Sequence, residues 1–284
     1  MSFCQQRSIN PLCPSVAIVL DFLLELYHGA DDHSPLGYSA INTARSALST
    51  IVTIENTPAG QHDLVKRFMR AVFNNRPALP RNTSTWDVHI VLDYLKTLSP
   101  VRTLSLTKLS KKLLMLLLLL SGQRGQTIHL MDLRNMTLTD SHAKFRIGDL
   151  TKTSAPGRHV HELSFKAYAP DRRLCVITSL HQYIKVTKPI RGQCTKLFVT
   201  TKKPHCAASR DTIRRWAKDI MTLAGIDMNV FTAHSTRAAS TSKAAKFIPL
   251  QTILKTATWS NEATFTKYYQ KPITNSTFAS AVLQ

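Results

Sequence analysis

His234 and Arg237 stand three positions apart, with Trp259 and the adjacent pair Tyr268 and Tyr269 downstream. Residues at i and i+3 of a helix share a face, so this His and Arg can point into one site. A guanidinium matches two oxygens of a phosphate, and a tyrosine phenol is among the few side chains able to attack phosphorus covalently. Upstream, Arg124 lies between Gly122 and Gly125 at the end of a leucine-rich run, where a firmly held Arg can come close to a ligand. In a purely structural role the same residue would face the negative end of the preceding helix. Lys152 sits in the turn-rich stretch 151–157, either as a solvated turn residue or as a proton donor to a leaving group. Together these parts suit phosphoryl transfer.

Composition narrows the partner. The 284 residues carry 37 Lys plus Arg against 17 Asp plus Glu, a net charge of +20 spread along the chain. Distributed charge of this size predicts a polyanion, most simply nucleic acid. Carboxylates do not cluster around the basic motifs, so a magnesium-dependent nuclease is disfavoured and no metal site or cofactor is expected. The five cysteines have no CxxC spacing, which points to reduced thiols rather than zinc or disulfides. The longest apolar run, Leu113–Leu120, is far shorter than a bilayer span and reads as a buried helix; no membrane partner and no signal peptide are expected.

The elements that must position these residues are mostly helical, with a small β-sheet. Ser15 caps a segment with Val16, Val19, Leu20, Leu23 and Leu24 at helical spacing, ended by Gly29. A second helix places Ile41, Ala44, Leu48 and Ile51 on one stripe, with Arg45 off it. A third, 63–73, turns Leu64, Phe68 and Val72 inward and Lys66, Arg67 and Arg70 outward, a face suited to a DNA backbone. The Pro-rich stretch around 76–85 is expected to link a helical domain, 1–75, to a mixed domain, 86–284. Helices are predicted over 86–98, 109–120, 170–187 and 211–223. The last points Arg214, Arg215 and Lys218 toward solvent or DNA. A hairpin is expected from 145–150 and 159–165, with Lys152 near its tip, and a short strand at 196–200.

The order Arg124, Lys152, His234-x-x-Arg237, Trp259, Tyr268 and Tyr269 resembles the tyrosine recombinase (phage integrase) family. The runs AHSTRAASTSKA, WSNEATFTKYYQKPI, YSAINTARSAL, HDLVKRFMRAVFNNRP and SGQRGQT look most like recombinases of DIRS-type retrotransposons. The resemblance implies a helical, SAM-like core-binding domain and a mixed α/β catalytic domain closing around duplex DNA as a homotetramer, monomeric when free. Residence would be nuclear, and no cofactor would be needed. It implies that Arg124 and Arg237 hold the scissile phosphate, Lys152 protonates the departing 5′ oxygen, and His234 handles the nucleophile's proton while Trp259 donates its indole N–H. The broad family's spacing selects Tyr268 as nucleophile, whereas the nearer relatives select Tyr269, which we favour. Thr127 stands where the family usually has a carboxylate. The tail 277–284 would dock on a neighbouring subunit. A DNA-binding protein of the same fold that has lost catalysis is the alternative.

Overall fold

The computed structural model describes residues 2–29, 34–77, 83–151, 154, 156, 161–259 and 262–273. The chain divides into two compact units, Met1–Arg81 and Asn82–Gln284. In the first, α2 (Val16–His28), α3 (Tyr38–Leu48) and α4 (Asp63–Asn75) surround one apolar cluster containing Val19, Leu23, Ile41, Val65, Met69 and Val72, while α1 (Ser2–Gln6) sets Phe3 edge-on to Phe22. The Ser15 hydroxyl accepts from the Ile18 N–H at 3.5 Å, and Gly29, at φ +81°, ends α2. A two-stranded ribbon, β1 (Thr53–Ile54) with β2 (Thr57–Pro58), joins α3 to α4.

Two inward stripes differ from the sequence expectation. In α4 the buried residues are Val65, Met69 and Val72, while Leu64 is exposed. A helix with apolar residues at both 64 and 65 can be rotated either way, and the ring of partners decides. Ile51 lies past the end of α3 in a turn and is exposed, since α3 stops at Leu48.

The second unit is built on α6 (Leu106–Ser121), capped by Ser105 and buried nearly all round. Against it pack α5 (Val88–Thr97), α7 (Gly125–His129), α8 (Val176–Thr187), α9 (Arg210–Leu223) and α10 (Ser235–Ala244). A three-stranded antiparallel sheet, β3 (Met136–Leu138), β4 (His142–Ile147) and β5 (His161–Lys166), adds Ala143, Phe145, Leu163 and Phe165 to the core. Its alternation is that of a sheet packed on one face. The chain closes with α11 (Leu250–Ala257) and α12 (Glu262–Tyr268), whose small core includes Trp259 and Phe265. Lys152, at the expected hairpin tip, and the tail 277–284 lie outside the described residues.

Two further expectations are adjusted. The helix expected from 170 starts at Val176, because the Asp171 carboxylate takes the Arg173 N–H and forms a 3₁₀ turn first. Residues 196–200 form isolated bridges, Asp132 with Lys196 and Val199 with Ala207, since no neighbouring strand extends the pairing. Around the expected connector, Arg76 donates to the carbonyls of Tyr27 (2.6 Å) and Leu36 (3.2 Å) within the first unit. Thr85 pairs with Ile273 within the second unit.

Lys112 is fully buried on α6. Its ammonium donates to the carbonyls of Leu95 (3.0 Å) and Leu98 (2.6 Å), the orphan acceptors at the end of α5. Burial pulls its pKa from 10.5 down to about 8. Lys112→Met leaves both carbonyls without a donor in a dry core, a cost of about 1–3 kcal/mol, and should destabilise the protein most clearly above pH 8, where the folded-state lysine is neutral and its removal relieves no buried charge. Between pH 8 and 10.5 the unfolded chain keeps the lysine proton that the folded chain has released, so wild-type stability gains with rising pH. The gap between wild type and variant in denaturant titrations should therefore widen across that window.

Candidate active site

Arg237 is the hub. It lies three residues after His234, the N-cap of α10, and is fully buried. One terminal nitrogen donates to the Gly122 carbonyl (2.6 Å), the other to the Ala257 carbonyl (2.7 Å). One guanidinium thus ties the end of α6 to the end of α11. Its carbon stacks 3.9 Å from the Trp259 ring centre and lies 5.4 Å from that of Tyr269. Its pKa is lowered to about 10, by burial first and then by the neighbouring Arg124 cation, with Tyr269 opposing both. It therefore stays charged at neutral pH.

Arg124 follows two residues after Gly122 and is half-buried at the start of α7. Gly122 suits that position on two counts. Its φ of +59° is left-handed, and a Cβ would stand 3.0 Å from Thr241 on α10. Gln123, between them, is buried and donates to the Thr256 carbonyl at 2.8 Å and to the Thr258 hydroxyl at 3.3 Å. Thr258 itself holds φ +58°, a strained position for a β-branched residue, costing on the order of 1–3 kcal/mol. That bend ends α11, where the Ala257 carbonyl meets Arg237 and the chain turns into Trp259.

Tyr269 completes the cluster. Its hydroxyl is 3.3 Å from His234 Nε2, and its ring centre is 4.7 Å from that of Trp259. The site therefore brings together Arg124, His234, Arg237, Trp259 and Tyr269, which are scattered along the sequence from position 124 to position 269. Tyr268 ends α12, and its side chain is outside the described residues, as is Lys152. Two donors, Arg237 Nε and Trp259 Nε1, are buried without an acceptor among the described residues. Such groups cost about 1–3 kcal/mol each while unpaired. Arg237 is sealed beneath the two rings, and Arg124 is the more accessible cation. Among the described residues no group of three His, Cys, Asp or Glu side chains stands ready to hold a metal ion.

A cavity of about 210 Å³ beside this cluster is lined by His234, Gln126, Arg210 and Arg214 among others. Arg214 was singled out by sequence; Arg210 and Gln126 were not, and only the meeting of α7 with α9 reveals them. Arg215, with Trp216 and Lys202, lines a separate hollow of about 410 Å³, and Lys218 is exposed. In the first unit Arg45, Lys66 and Arg70 share a shallow cavity of about 430 Å³ with Tyr38, Asn42 and Phe73. Arg67 is exposed. Arg45 is partly committed to structure, donating to the Gly60 carbonyl at 2.8 Å.

A mainly helical unit with a small sheet, carrying clustered Arg, His-x-x-Arg, Trp and Tyr, defines a class, and the family comparison agrees. The model described as the phage integrase family matches residues 90–274, more than half of the chain, which therefore belongs to this family of tyrosine recombinases. Solved structures with the same fold include XerH site-specific recombinase bound to palindromic difH substrate in a post-cleavage complex. That pair shares 14% identity at a TM-score of 0.58, over 90% of this chain and 68% of the other. The Tn1549 transposon integrase in complex with circular intermediate DNA shares 11% identity at a TM-score of 0.57, over 95% and 84%. A lambda integrase dimer bound to a COC' core site shares 14% identity at a TM-score of 0.53, over 93% and 66%. At these identities the likeness establishes the fold. No curated protein matches the chain by sequence.

Proposed function

We propose that this protein is a DNA strand transferase, a tyrosine site-specific recombinase that cuts and rejoins duplex DNA through a 3′-phosphotyrosine intermediate. The observation that carries this reading is the Tyr269 hydroxyl beside His234 Nε2, over an Arg237 guanidinium that also feels Arg124. In the proposed step the Tyr269 oxygen bonds to phosphorus as the bond to the 5′ oxygen breaks. The phenol proton passes to His234, and Lys152 supplies a proton to the departing oxygen, which would otherwise leave as a costly alkoxide. Arg124 and Arg237 offset the charge that grows on the phosphate, with Trp259 Nε1 as a further donor. Attack by another 5′ hydroxyl reverses the step, so the bond energy is kept and no nucleotide hydrolysis is required.

In this reading residues 1–75 form the core-binding domain, 76–85 the connector and 86–284 the catalytic domain. Arg45, Lys66, Arg67 and Arg70 on one domain, and Arg214, Arg215 and Lys218 on the other, bind the DNA backbone. The active assembly is a homotetramer on synapsed DNA, its tails docked on neighbouring subunits, formed from free monomers. The motif runs favour an origin in a DIRS-type mobile element and residence in the nucleus.

The test is a pool of nicked suicide duplexes with randomised sequence around the nick, incubated with the full chain in the presence of EDTA. Detergent-stable adducts carrying the protein on a 3′ phosphate, with a free 5′ hydroxyl on the released strand, are the expected product. DNA that is retarded in gels but never attached covalently would replace this reading with the non-catalytic DNA-binding one.

A further inference from the structure

Helix α10 carries three successive hydroxyl residues, and one behaves unlike the other two. Ser240 and Thr241 donate back to the Arg237 carbonyl of their own helix, at 3.3 and 2.6 Å, as mid-helix Ser and Thr commonly do. Ser242, only 5% exposed, reaches out of the helix instead. Its Oγ donates to the Tyr269 carbonyl (2.7 Å) and accepts from the Lys271 N–H (3.0 Å). One hydroxyl thus uses its single proton and a lone pair to bracket the backbone on both sides of Gln270.

We infer that Ser242 is a positioning residue for the nucleophile: it fixes the backbone of Tyr269 to the same helix that presents His234 and Arg237. The inference rests on the reading of Tyr269 as nucleophile. Five residues separate Arg237 from Ser242, about 7.5 Å of helix rise, so one rigid rod sets the distance between the guanidinium and the anchored tyrosine backbone. The other tethers act elsewhere. The Tyr269 and Gln270 N–H groups both donate to the Phe265 carbonyl of α12, at 2.8 and 2.9 Å, and the Thr85 N–H donates to the Pro272 carbonyl at 2.9 Å. None of these joins the backbone after Tyr269 to α10. Without the Ser242 hydroxyl the end of α12 loses its backbone tie to α10, and the phenol at the end of the side chain shifts with it. A misplacement of ~1 Å at a reacting atom costs about 10²-fold in rate.

The test compares wild type with Ser242→Ala and Ser242→Thr on a trapped nicked duplex, under single-turnover conditions at saturating protein. DNA affinity and melting temperature are measured alongside. Ser242→Ala should slow adduct formation by about 10–100-fold with DNA affinity unchanged and the protein still folded at the assay temperature, its melting temperature lowered only by the two lost hydrogen bonds. Ser242→Thr, which keeps the hydroxyl, should recover most of the rate. Adduct formation by Ser242→Ala at the wild-type rate overturns the assignment and leaves the recombinase reading intact. A loss that merely follows weakened DNA binding or unfolding also overturns it, since the residue would then be structural only. Failure of wild type to form any adduct removes the recombinase reading itself, and this inference with it.

Discussion

Tyr269→Phe is expected to abolish the covalent protein–DNA adduct while leaving DNA binding and folding almost intact. The substitution removes one oxygen and little else. The Phe ring keeps its place against Trp259, whose centre lies 4.7 Å away, and the backbone keeps the Ser242 clamp. The loss to stability is a single hydrogen bond, the 3.3 Å contact with His234, worth about 0.5–1.5 kcal/mol. The loss to chemistry is the nucleophile, for which a drop on the order of 10⁶-fold is typical of covalent catalysts. Tyr268→Phe should spare most of the activity. Successive helical residues diverge by about 100°, so two neighbouring tyrosines cannot both face the guanidinium. Denaturing gels of suicide-substrate reactions decide the matter, and an adduct that survives Tyr269→Phe but vanishes with Tyr268→Phe would reverse the assignment.

Arg237→Lys carries the second large effect, and it should appear in rate and stability together. Lysine keeps the charge but offers a compact head without the planar fork. It cannot span the Gly122 and Ala257 carbonyls while stacking on Trp259. At least one carbonyl is then buried without its donor, a cost of about 1–3 kcal/mol that thermal melting will register. The ends of α6 and α11 also lose their common tie, which shifts Arg124 and Trp259 relative to Tyr269. Adduct formation should fall about 10³-fold or more, the scale of losing one preorganised donor to a developing charge. A variant that melts lower but forms adduct at the wild-type rate would make Arg237 a structural pin outside the chemistry.

The difference between these two residues explains why one motif was legible and its geometry was not. His-x-x-Arg announces itself by spacing, and spacing on a helix is a local property. That Arg237 would be sealed beneath two rings, with its terminal nitrogens on backbone carbonyls 115 and 20 positions away, is not local at all. The same holds for Ser242, one of many serines in a helix of small residues until the segment after Tyr269 is folded against it. Gln123 and Gly122 lay in a run already recognised around Arg124, but their work of joining α6, α10 and α11 depends on helix ends that meet only in three dimensions.

The misread stripes have a related cause. Along α4 the apolar residues Leu64, Val65, Phe68, Met69 and Val72 fit two rotations of one helix, and the partners around Val65 and Met69 select between them. Residues 196–200 have strand-like side chains, but a strand requires a neighbour to pair with over its length. Periodicity, caps and charge are written in contiguous residues, so the chain by itself determined a helical protein with a small sheet, a strong positive charge and the chemical parts of a phosphate-binding site. Which apolar face turns inward, which arginine is buried and what holds the tyrosine depend on contacts between distant segments. Those contacts exist only once the chain is packed, and the tertiary structure alone decided them.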